Sequence, residues 1–74
     1  MGCRVGMTTD PKTRKQYWMK KHPTLKNWKK LGEYSTKTAA QAAENKFAKD
    51  YGCVASGGGA GRENDNWIVY KFDY

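Results

Sequence analysis

Two charged side chains sit where a plain helix surface does not call for them. On a wheel of about 100° per residue, Arg14 falls between Tyr17 and Trp18, the aromatic side that should meet a sheet. Lys12, Gln16 and Lys20 fall on the far side. A guanidinium so constrained can grip a phosphate through two parallel hydrogen bonds. It can equally stack on Trp18 as packing, and both readings stand. Glu44 sits beside Ala40 and Tyr51, and its helical neighbours Ala40, Gln41, Phe47 and Ala48 include no cation. With no helical ion pair available, a shielded carboxylate suits a divalent cation or a pairing with Arg14 or Lys29. A solvated edge glutamate is the plain alternative.

His22 precedes Pro23 in a loop, where a surface role outweighs proton transfer. The stretches "RKQYWMKK" and "NWKK" interleave bases with aromatics, a pattern that stacks on unpaired nucleotides. In so short a chain, Trp18 and Trp28 are more readily core residues.

The elements that must position these groups follow from local signals. Residues 3–8 form a short strand candidate. Asp10 caps a helix with Pro11 at its first position, and the helix runs to Lys21 because a residue before proline is pushed out of helical geometry. Residues 27–35, "NWKKLGEYS", read as a strand between a Pro-containing loop and a cap. Ser35 or Thr36 caps a second helix, whose Ala40, Ala43, Phe47 and Tyr51 recur at steps of three and four. Residues 52–65, "GCVASGGGAGREND", read as a flexible Gly-rich connector without the lysine of a phosphate-binding loop. "NWIVYKFDY" closes the chain as the clearest half-buried strand. The expected architecture is a single α+β domain over residues 1–74, a three-stranded sheet in βαβαβ order with both helices packed on it.

At 74 residues there is room for one small core and no enclosed cofactor cavity. The net charge is +7, and residues 1–37 carry ten Lys or Arg against two acids. Such one-sided charge attracts polyanions, with nucleic acid ahead of an acidic protein partner. Arg4, Lys12, Lys15, Lys20, Lys21, Lys29 and Lys30 are the candidate contacts. Cys3 and Cys53 are expected to be free thiols in a reducing cytoplasm, since small secreted domains usually carry more bridges. With His22 they fall short of the four ligands of structural zinc. No apolar run is long enough for a signal peptide or a membrane-crossing helix, so no membrane partner is expected. Met-Gly-Cys opens like a lipidated terminus, but Gly6 stands where that pattern wants Ser or Thr.

Over residues 3–52 the chain resembles the GIY-YIG nuclease superfamily. Arg4-Val5-Gly6 stands where that family has Tyr-Ile-Gly, followed by Met7-Thr8, a turn, and Arg14 at the family's offset from the glycine. "NWKKLGEYS" and then "TAAQAAENKF", with Glu44 in the place of the family's inward glutamate, continue the order. The resemblance implies a Mg²⁺-dependent endonuclease in which Glu44 holds the metal and Arg14 clamps the phosphate. Two departures accompany it: no Gly-Ile-Tyr strand precedes residue 3, and Arg4 replaces the second tyrosine. If the terminal strand pairs with residues 3–8, the chain is in effect circularly permuted and Tyr70 stands in for the lost phenol. The short basic chain also resembles accessory proteins of phages. Two functions therefore stay open: a metal-dependent phosphodiesterase using Arg14, Glu44 and Tyr70, and a non-catalytic basic module that binds nucleic acid or an acidic protein.

Overall fold

The computed structural model describes residues 2–56 and 61–74. The elements are β1 (Cys3–Thr8), α1 (Pro11–Lys21), β2 (Lys26–Thr36), α2 (Lys37–Tyr51), β3 (Val54–Ala55) and β4 (Asn64–Asp73). The sheet has four strands in the order β2-β4-β1-β3, where three were expected. The additional strand, β3, lies within the segment read as a connector and runs parallel to β1. Its pairing is non-local, and two residues carry no periodicity from which to infer it. The Gly-rich stretch 57–60 of that connector lies outside the described residues.

Helix boundaries follow the local chemistry. The Asp10 carboxylate accepts from the Thr13 N–H at 3.2 Å, with Pro11 inside the first turn. Thr36 Oγ accepts from the Ala39 N–H at 3.2 Å. Glu63 adds a second cap to α2, accepting from the Thr38 N–H at 2.8 Å. Gly52 ends α2 in the left-handed region at φ 68°, a conformation glycine takes without steric cost.

β4 is antiparallel to both of its neighbours, so β1, β2 and β3 run the same way around it. Its side chains divide the core in two. Trp67 and Val69 join Val5, Met7, Ala40 and Ala48 on the α2 side, whereas Tyr70 and Phe72 join Trp18 on the α1 side. The helices therefore flank opposite faces. β1 to β2 and β2 to β3 cross the sheet in opposite directions, and right-handed crossovers in opposite directions place their helices on opposite faces. Trp67, Val69, Tyr70 and Phe72 are each at most 1% exposed, and burying such a side chain contributes roughly 1.5–3 kcal/mol.

Cys3 and Cys53 form a disulfide, correcting the expectation of free thiols. β3 leaves α2 alongside β1, which brings two residues 50 apart in sequence to a Cα separation of 4.9 Å. A bridged pair removes the free thiols on which the expectation of a reducing compartment rested. Among the described residues, no helix is long and apolar enough to cross a membrane.

Closing a loop of this length removes conformational freedom from the unfolded chain. Reduction, or Cys3→Ser with Cys53→Ser, should lower unfolding free energy by about 2–4 kcal/mol. Urea unfolding with and without reductant, followed by circular dichroism, checks this.

Candidate functional site

The α1 side of the sheet begins at a glycine. Gly6 is paired with Tyr70, and the Tyr70 ring lies back across it. A Cβ at position 6 would stand 2.3 Å from the Tyr70 hydroxyl oxygen, so any side chain there would displace the ring. Across that gap the Tyr70 hydroxyl accepts a hydrogen bond from Trp18 Nε1 at 2.8 Å. Trp18 is the buried residue of α1, so this bond anchors the helix. The pairing of the terminal strand with residues 3–8 expected from the sequence is present, with Tyr70 opposite Gly6.

Cations surround this anchor. The Arg4 guanidinium lies over the Trp18 ring at 5.2 Å, while those of Arg14 and Lys21 lie over Tyr17 at 5.0 and 4.9 Å. The arginine stacked on Trp18 is thus Arg4, reaching over from the strand, whereas Arg14 packs on Tyr17. The Lys21 ammonium, with smaller help from Arg14 and Arg4, holds the Tyr17 phenol below its ordinary range. Burial pushes the Tyr70 phenol up; the Trp18 hydrogen bond and the charges of Arg14 and Arg4 oppose it, and Glu44 adds to it. Tyr70 is therefore a neutral hydroxyl at physiological pH, an acceptor for Trp18 rather than a base.

The structure unites the three candidate catalytic residues only in part. Arg14 and Tyr70 share the α1 side, but Glu44 belongs to α2 on the opposite face, although its charge reaches the Tyr70 hydroxyl. Tyr70 and Glu44 are each 1% exposed, out of a phosphodiester's reach. Magnesium collects about six oxygens, several of them water. Glu44 has no surface for such a shell, and among the described residues no group of three or more His, Cys, Asp and Glu gathers. The residues present do not fit a hydrated magnesium ion.

The candidate nucleic-acid contacts are placed differently. Lys12, Lys15, Lys20 and Lys21 are exposed on α1, Lys29 and Lys30 are exposed on β2, and Arg4 and Arg14 are half-buried. Lys30 makes an exposed ion pair with Glu33 at 3.2 Å. A cleft of about 260 Å³ beside Arg14 and Tyr17 includes Asp10. Hydrogen bonds from Thr13 hold that carboxyl below its usual range, so it stays ionised and repels a phosphate there. His22 is structural: its N–H closes α1 on the Trp18 carbonyl at 2.7 Å, and its ring stacks on Tyr74 at 4.2 Å.

Sequence reasoning missed the aromatic row on this face. Trp28 stacks on Tyr70 at 4.5 Å, and Phe72 continues the row. The signal was present in the alternation of Tyr70 and Phe72, but their partner on β2 depends on a register that no local pattern encodes. Comparison with protein-family models, with curated proteins and with solved structures found no match to this chain.

Tyr70→Phe leaves Trp18 Nε1 without its acceptor and should cost about 1–3 kcal/mol in urea unfolding. Amide exchange should accelerate in α1 before α2. The upward shift of the Tyr70 phenol implies that its contribution is intact below about pH 10 and is lost as pH rises through its folded pKa. Unfolding measured from neutral to strongly alkaline pH should show that loss in the wild type and a smaller one in Tyr70→Phe.

Proposed function

We propose that this protein binds nucleic acid through α1 and the adjoining part of β2, without catalysing cleavage. The observation that carries this reading is the charge of α1. Eleven residues hold five cations, Lys12, Arg14, Lys15, Lys20 and Lys21, and no acid. The ion pairs of the sheet, Lys30–Glu33 and Lys71–Asp73, draw on none of them. Like charges along a short helix repel one another, and a polyanion relieves that repulsion while releasing its own counterions.

The GIY-YIG-like order of Arg4-Val5-Gly6, Arg14 and Glu44 supports a family reading of the same chain. The catalytic half of that family's behaviour does not carry over, because Tyr70 and Glu44 are enclosed. An acidic protein is the competing partner, since it would meet the same lysines.

Fluorescence anisotropy of labelled oligonucleotides against salt tests the reading. Affinity should fall linearly in log–log form as salt rises. Replacing Lys12, Lys15, Lys20 and Lys21 together with Gln should flatten the slope by about 0.7–0.9 for each phosphate that a lysine no longer neutralises. An unchanged slope, or preference for an acidic polypeptide over nucleic acid of equal charge, would overturn it. Supercoiled plasmid should stay intact with Mg²⁺ present.

A further inference from the structure

β2 is one of the two edge strands of the sheet, and Trp28 stands on it. Its ring is stacked near-parallel on Tyr70 at 4.5 Å and on Phe72 at 5.7 Å. Both partners belong to β4, the inner neighbour, and among the described residues no strand pairs with β2 on its other side. No strand therefore covers the far side of the indole, which lies at the edge of the sheet. Trp28 is half-buried, whereas Trp18 and Trp67 are 9% and 0% exposed.

The backbone beside Trp28 departs from a regular strand. The register with β4 shifts between Lys26 and Lys29, and Asn27 takes a left-handed conformation at φ 57°. Its side chain is tied to Asp73 at 2.9 Å. Bulges of this kind at sheet edges re-aim a side chain. Lys30, paired with Tyr70, is exposed on the side of the sheet that Trp28 shares with Tyr70 and Phe72, and α1 adds its cations there; Lys26 and Lys29, paired with Asp73 and Lys71, lie on the other side.

We infer that the outer side of Trp28 is a stacking platform for an unpaired base of single-stranded nucleic acid, with Lys30 and the lysines of α1, on the same side of the sheet, holding the flanking phosphates. The inference rests on the nucleic-acid reading above and names its substrate class. A duplex keeps its base faces inside its own stack and offers these lysines phosphate alone. An acidic polypeptide matches the lysines but brings no flat ring to the indole. An unpaired strand supplies both, and stacking on an aromatic side chain tolerates any base.

The test is a set of titrations at fixed low salt with one short oligonucleotide in three forms: single-stranded, annealed to its complement, and single-stranded but abasic. Unlabelled single strand should quench the intrinsic tryptophan fluorescence, and duplex should quench it far less. Trp28→Ala should weaken single-strand binding by about 5- to 150-fold, leaving duplex binding within about twofold. The abasic strand should bind wild type as weakly as the intact strand binds Trp28→Ala. Trp28→Phe keeps a ring against Tyr70 and should show an intermediate loss, so the question stays answerable if circular dichroism finds the alanine variant unfolded. Equal losses for single strand and duplex, an unaffected single strand, or an abasic strand that binds as well as the intact one would overturn the inference. If every form binds with salt dependence but indifferently to Trp28, the platform alone falls. If no form binds, the nucleic-acid reading falls as well.

Discussion

The α1 side of this protein depends on one close approach, the Tyr70 ring crossing the bare backbone of Gly6 to meet Trp18. Strand pairing brings residues 6 and 70 face to face, and only the absence of a side chain on one lets the other lie flat. The hydroxyl thereby reaches the indole N–H, and α1 is fastened by its buried residue. Phe72, His22 and Arg4 then pack around that indole. Buried hydrogen bonds of this type contribute modestly when made and are costly when one partner is removed. The bond and this packing together fix where the helix, and the cations it carries, sit over the sheet.

The two faces of the sheet differ in chemistry. On the α2 side, small alanines let the helix settle closely over Val5, Met7, Trp67 and Val69, with the disulfide at its end. That side is closed and mostly aliphatic. The α1 side is aromatic, and its helix offers charge to solvent instead of a broad apolar stripe. The first face encloses its helix against the sheet, and the second leaves the cations of its helix at the surface. Enclosure of Glu44 within the first face and of Tyr70 beneath the second is what separates binding from cleavage in the function proposed for this chain.

Much of the secondary structure was legible because its signals are local. Asp10 and Pro11 opened α1 where expected, His22–Pro23 closed it, and Thr36 capped α2. The alternation from Trp67 to Phe72 marked β4, but the strand is not half-buried as expected: helices on both faces bury Trp67, Ile68, Val69 and Tyr70 in succession. Candidate site residues were legible to a lesser degree. A wheel placed Arg14 near aromatics, and it does pack on one, but on Tyr17 while Arg4 takes Trp18. The wheel also put Glu44 at the flank of an apolar stripe, where its burial proved nearly complete. Angular position says which way a side chain leaves its helix, not how closely the neighbouring layer covers it.

Taken alone, the amino-acid sequence determined the helices and the longer strands to within about two residues at each end, and that the positive charge gathers in the first half. Caps, proline and alternation act within a few residues, so no distant partner is needed to read them. Tertiary structure alone decided the fourth strand, the bond between Cys3 and Cys53, the opposite faces of Arg14 and Glu44, and the stacking of Trp28 on Tyr70. The stacking depends on β4 folding back between β1 and β2, and the bond on β3 pairing along the other edge of β1, an order set by the joint packing of segments dozens of residues apart rather than by any one segment's preference.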